Sequence, residues 1–321
     1  MRGQGTALEK PERWRRRLPA PSRRTGSAAV AALSLLAAVA IAAPPGPSTQ
    51  QSDLELKQIT VEAQRERAAF EHRVKTFVSG ITTAPYEESL ARWQEENPIC
   101  PQVAGLPHDD GEYFLSRLSQ IAAAAGASLA PERCKPNFYV IVTSVADELA
   151  AAWSKRYPRM FGNANGNKVR QFLTASSPIR VWYNAALFNR DGTPCTLERG
   201  ITICGGFTHP ILDGGSTHLQ FGVVRDLTSV IVLVDAGRVK GIKYGQLAAY
   251  IAMVGLAEIR VDAKTGDAPT ILHLFTDSAN APALGMSAWD TAYLKALYRT
   301  RHEDKMQLLA LETSMTKALV P

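Results

Sequence analysis

The feature that most constrains this chain is a pair of neighbouring segments, Thr228–Asp235 (TSVIVLVD) and Lys243–Ala257. The first is a continuous apolar run of β-branched residues and leucine, which suits a central strand covered on both faces. The second reads as a helix with Leu247, Tyr250, Ile251 and Val254 on one side and Ala248, Ala249, Ala252 and Met253 around the rest. A helix apolar almost all round has to be buried. Together they require a sheet with helices packed over it. Asn137–Thr143 (NFYVIVT) supplies a second buried strand, and Ile179–Phe188 one strand or two. Amphipathic stretches at Arg65–Ile81, Glu112–Ala125, Asp147–Arg156, Lys168–Ala175, Ser287–Tyr298 and Asp304–Leu319 supply helices, and Ile59–Ala63 reads as a short β-like stretch. Asp109/Asp110 are expected to cap the second of these helices, with Gly126 stopping it; Ser287/Asp290 has the spacing of a capping box. Strands and helices mix without regular alternation, so the expected class is α+β, a mixed sheet packed with helices.

The N-terminus is of another kind. Ser27–Ala43 carries no charge, follows a basic stretch, and ends in small residues before Pro44-Pro45-Gly46-Pro47. That order is expected of a secretory signal, or of an anchor if it stays uncleaved. The organisation read from the sequence is therefore a signal peptide or anchor over residues 1–43, a Pro/Ser/Gln linker over 44–56, and one α+β domain over 57–321 with a possible helical part at 57–135. Export places the protein in the periplasm or outside the cell, or tethers it to the membrane by residues 27–43. Membrane contact is expected through those residues only.

The formal net charge of +6 belongs to this leader. Residues 1–43 hold 8 of the 36 basic and 2 of the 30 acidic side chains, leaving 28 of each in the rest. A neutral remainder lacks the basic surplus that nucleic-acid binding needs. The four cysteines, Cys100, Cys134, Cys195 and Cys204, contain no Cys-x-x-Cys pair, and in an oxidising compartment an even count reads as two disulfides. Cys195 and Cys204 flank TLERGITI, a hairpin turning at Arg199-Gly200 that sets them opposite each other. Cys100 and Cys134 then form the second bond, bracketing a helix. Loop entropy gives roughly 3 kcal/mol for the short ring and about 4 kcal/mol for the long one.

Chemistry is sparse. No Gly-x-Ser-x-Gly elbow and no Gly-x-Gly-x-x-Gly occur, and the loop Gly162–Asn167 lacks a Gly-Lys-Ser/Thr ending, so no cofactor is implied. The densest polar and glycine-rich cluster runs from Cys204 to His218. Its His209, Asp213 and His218 offer two imidazoles and a carboxylate for a metal or for acid–base hydrolysis. The same residues fit a surface loop whose glycines permit tight turns. Trp182 and Tyr183 suit either a stacking platform for sugars or cross-strand packing.

From Thr228 to Tyr298 the order of elements resembles the C-terminal half of a zincin metallopeptidase domain. A hydrophobic strand precedes a buried helix ending in Val254-Gly255-Leu256; Ala268-Pro269-Thr270-Ile271 follows, then Met286-Ser287-Ala288-Trp289-Asp290, Tyr293-Leu294 and Leu297-Tyr298. The chain is also similar to exported bacterial proteins of unassigned function that carry such a helix in decayed form. Zincin chemistry needs His at i and i+4 on that helix with Glu at i+1. Tyr244–Leu256 holds no His, Glu or Asp. The resemblance therefore implies a zincin-like C-terminal half without its metal motif. The expected function is a non-catalytic binding or scaffold protein of the cell envelope, its partner another envelope protein or a cell-wall component. The alternative is a hydrolase built on His209, Asp213 and His218.

Overall fold

A computed structural model describes residues 49–83, 89–162, 166–189, 191–198, 201–205, 211–212, 222–276 and 284–320. The chain divides into two units, Met1–Leu54 and Glu55–Pro321. The sheet and every helix after the first belong to the second unit. The signal segment and linker residues 44–48 lie outside the described residues.

Helix α1 (Thr49–Ile81) begins inside the stretch expected as linker and absorbs the β-like stretch Ile59–Ala63. The correction has a simple cause. Ile59 and Val61 alternate, but both are exposed and no strand partner covers them, so the helical pattern downstream carries through. Further along, Val74, Phe77, Val78 and Ile81 are fully buried. Strand β1 (Pro101–Ala104) leads to helix α2 (His108–Ala125) and strand β2 (Phe138–Thr143). Helix α2 starts earlier than expected. Pro107 is its N-cap residue and no side chain caps it; Asp109 and Asp110 sit in its first turn, where carboxylates favour the helix dipole. Gly126 ends it in the left-handed conformation, φ 91°, as a stop signal of this kind requires. Helix α3 (Ala146–Arg156), a 3-10 turn at Pro158–Phe161 and helix α4 (Gly166–Thr174) follow.

Among the described residues, the sheet has seven strands in the order β1-β2-β7-β3-β4-β5-β6. Strand β3 spans Ile179–Asn189, β4 Pro194–Glu198, β5 Ile201–Cys204, β6 Ile211–Leu212 and β7 Val223–Asp235. Strands β1, β2 and β7 are parallel, and β3 runs antiparallel to β7. The fold class is α+β with a mixed sheet. Both faces of the central strands are covered, which explains their continuous apolar character. Phe138, Val140, Val230, Val232 and Val234 pack into the main core with helices α1, α2, α5 (Tyr244–Leu256), α6 (Ala288–Arg299) and α7 (Gln307–Leu319). Ile231 and Leu233 face the other way, toward Ala146 and Ala150 of α3, Phe161, Phe172 of α4 and Trp182. Trp182 is thus core, edge-on to Phe161 at 4.8 Å and Phe172 at 5.6 Å.

Both disulfides are present, Cys100–Cys134 and Cys195–Cys204, and the second pair lies directly opposite in the β4–β5 register. The turn at Arg199-Gly200 lies outside the described residues. The capping box of α6 is complete: Ser287 Oγ accepts from Asp290 N, and Asp290 accepts from Ser287 N. Asp290 is fully buried and also accepts from Ile271 N at 2.9 Å and from the Thr270 hydroxyl, tying α6 to the 3-10 turn Ile271–Phe275.

Candidate functional site

Strand β3 is eleven residues long, but strand β4 pairs with it only at Leu187 and Phe188. Among the described residues, Ile179–Ala186 has no strand on the side away from β7. The hydrogen-bond parity shows which groups are left. Asp235 N donates to Pro178 O at 2.9 Å, so the β7-facing positions continue through Arg180 and Trp182. Ile179, Val181 and Tyr183 then turn their backbone N–H and C=O outward. One of these is met locally: Ile179 N donates to Ser177 Oγ at 3.2 Å.

A cleft of about 960 Å³ runs along this edge. Seven consecutive β3 residues, Ile179 to Ala185, line it. A groove across a sheet face would meet every second residue, so consecutive lining means the groove follows the backbone edge. One wall comes from the α5 layer, with Tyr250, Val254, His273 and Phe275; the other comes from the α4 side, with Phe172 among its residues. Tyr250 stands edge-on to Phe275, ring centroids 4.9 Å apart, and burial pushes its hydroxyl up to about 12, so it stays a neutral donor. Tyr183 Oη donates to Val254 O at 2.6 Å and accepts from Ile259 N, and burial raises its pKa well above the ordinary value, so the hydroxyl stays protonated. These bonds fasten the end of α5 to the strand and set the groove's width.

The cleft's other ionisable groups are engaged. Arg225 makes a two-pronged pair with Glu258, one contact at 2.9 Å. His273 is buried, with Nε2 2.5 Å from Thr265 Oγ1; desolvation holds its imidazole below the ordinary value, and the charge of Asp290 opposes this. Arg180, buried, donates to Asp147 at 2.6 Å and to Leu173 O.

His209, Asp213 and His218 lie outside the described residues. Among the described residues, no three His, Cys, Asp or Glu side chains form a group that could hold a metal ion. Helix α5 presents Tyr250 and Val254 to the cleft, while Ala249 is buried in the core. Sequence reading did not identify the β3 edge. A signal was present in the lengths: hairpin strands of five and four residues are too short to cover an eleven-residue neighbour. His273 and Glu258 gave no signal, because Arg225 is 33 residues from Glu258 in the sequence and Thr265, which meets His273, is unremarkable in type. Among the described residues, no helix is long and apolar enough to cross a membrane. The chain matches no protein-family model, no curated protein and no solved structure.

Proposed function

We propose that this chain is an exported, non-catalytic binding protein of the cell envelope that holds an extended segment of peptide along the outer edge of β3. The cleft lined by seven consecutive residues of that strand carries the reading. An unpaired edge offers outward N–H and C=O groups that an added strand satisfies, while alternate side chains of the guest enter the two walls. The guest's residues on one side meet Tyr250 and Phe275, and those on the other meet the α4 side. Two disulfides support an oxidising compartment, the periplasm or the exterior, and the leader-like segment at residues 27–43 supports export. The zincin-like order of elements from Thr228 to Tyr298, with α5 lacking ligands, supports binding without catalysis. The engaged state of Glu258 and His273 supports it too.

The test uses the oxidised chain and a library of random linear peptides. Binders are selected on the native protein and measured against Val181→Pro. This substitution removes one outward N–H without taking a bond from the β7 ladder, the position at which strands tolerate proline. Affinity is expected to fall about tenfold or more, since one hydrogen bond is worth about 1 kcal/mol and the ring also blocks the edge. An unchanged circular dichroism spectrum and melting temperature establish that the variant is folded. A library that yields no binder, or binders indifferent to Val181→Pro, would overturn the reading.

A further inference from the structure

The open edge of β3 is not uniform along its length. Val181 and Tyr183 turn both N–H and C=O outward, but Ile179, where the strand begins, does not offer the same pair. Its N–H is already used by Ser177 Oγ at 3.2 Å. The first outward position of the strand is therefore an acceptor without a donor. In an antiparallel pairing, a guest residue opposite Ile179 can donate its N–H to Ile179 O. The carbonyl of that guest residue then finds no donor on the strand, and an unmet carbonyl inside a groove costs free energy.

A cation stands at this same end. Arg238, in the turn that follows β7, is exposed and lines the cleft. Its Nη2 donates to Ser176 O, so the guanidinium is held against the backbone that leads into β3. The other guanidiniums of the cleft each face a carboxylate: Arg225 has Glu258, Arg180 has Asp147 and Arg260 has Asp262. Among the described residues no carboxylate pairs with Arg238. Asp235, its neighbour in the turn, accepts instead from Gly237 N at 2.9 Å and from Arg238 N at 3.3 Å. A guanidinium has several N–H donors in a planar fork, and Ser176 takes only one of them.

We propose that the cleft captures the free carboxyl-terminus of its guest: the last residue lies opposite Ile179 and donates its N–H to Ile179 O, while its carboxylate pairs with Arg238. This rests on the strand-addition reading above and gives it a direction. A guest antiparallel to β3 brings its carboxyl end to Ile179, where the cation is. A parallel guest would bring an ammonium there, a like charge. A chain that continued past Ile179 would leave the strand edge, because β3 starts at that residue. A terminal carboxylate also suits the planar guanidinium, which meets both of its oxygens through paired N–H groups.

The register also sets the side chains. Ile179, Val181 and Tyr183 all pack toward the main core, on the face that carries α5. Residues directly opposite in an antiparallel pair share a face. The guest's last residue and the one two places before it therefore fall on the α5 side, where Tyr250 and Phe275 line the cleft. Apolar side chains suit both positions. The guest is thus a peptide end with an apolar last residue and a free carboxylate.

The oxidised full chain is titrated with peptides selected from a linear library with free carboxyl-termini. Each binder is also made as its C-terminal amide and with a glycine added at either end. Amidation removes the charge and is expected to weaken binding about tenfold or more, since charge-assisted hydrogen bonds are the stronger kind. Glycine at the carboxyl end should weaken it alike, and glycine at the amino end should not. Arg238→Gln should bring the free acids down to the level of the amides and leave the amides unchanged; its melting temperature shows that it is folded, and if it is not, the amides decide. Binders weakened by Val181→Pro yet indifferent to amidation and to Arg238→Gln would leave strand addition standing and overturn capture of the terminus. Binders weakened by Arg238→Gln but not by amidation would put a side-chain carboxylate at Arg238, which overturns it equally. A selection that yields no binder overturns both readings.

Discussion

Gly255 lies in helix α5, where alanine is ordinarily the better residue by about 0.5–1 kcal/mol. Here the opposite is expected. A Cβ built on Gly255 would lie 2.1 Å from Phe138 Cζ and 2.3 Å from Cε2, where ordinary contact is 3.4–4 Å. The ring would have to retreat by more than about 1 Å, a larger misfit than well-packed interiors absorb. It has no free direction, because Phe138 is fully buried and stacked on Trp93, ring centroids 6.2 Å apart. Trp93 in turn is pinned by its bond to Gly255 O. Overpacking of this kind costs about 1–3 kcal/mol, so after the helix-propensity gain Gly255→Ala should destabilise by about 1–2 kcal/mol. Urea denaturation followed by tryptophan fluorescence measures it. Phe138→Leu removes the offending ring atoms, so the double variant should lose less than the sum of the single ones, with a coupling of about 0.5–3 kcal/mol. A Gly255→Ala protein as stable as the native one, or more so, would refute the steric argument.

Two further outcomes follow from the same core. Leu247→Ala and Ile251→Ala, at positions 2% and 0% exposed on α5, should each cost about 2–5 kcal/mol in thermal or chemical unfolding. Asp290→Ala removes the acceptor for Thr270, Ile271 N and Ser287 N together and should cost about 3 kcal/mol in the same assay, with Asp290→Asn retaining part of it through its amide oxygen.

Periodicity and capping made much of this fold legible. The run Thr228–Asp235 and the helix Lys243–Ala257 led directly to β7 and α5, because burial on every side leaves a composition that no surface element has. The Ser287/Asp290 box was readable because its chemistry is local. The disulfide pairing was readable for the same reason at Cys195 and Cys204, and by exclusion at the other pair. What could not be read is non-local. The segment at residues 89–97 has no period of its own; its side chains are placed by partners more than 130 residues away, among them Arg225, Gly255, Leu297 and His302. Asp226 lies two residues before the apolar run Thr228–Asp235, with no local pattern around it. Its burial against His302 depends on α6 and α7 folding back across the sheet, which composition does not encode. The cleft was hidden likewise, since an unpaired edge is a property of strand order.

The Cys100–Cys134 bond acquires a meaning from that strand order. Strand β1 is only four residues long and forms one border of the sheet, paired on a single side with β2. Short border strands are the first pieces to peel away in partial opening. Here the bond begins one residue before β1 and reaches to Cys134, four residues before β2, so it ties the start of β1 to the end of the crossover that carries α2. A parallel pair joined through a helix is ordinarily costly to assemble, because its long connection has to be closed before any strand contact offsets the entropy. In the oxidised chain that closure is covalent. The border strand therefore reforms from a ring already shut, and fraying at this margin stays short-lived instead of spreading into the central strands.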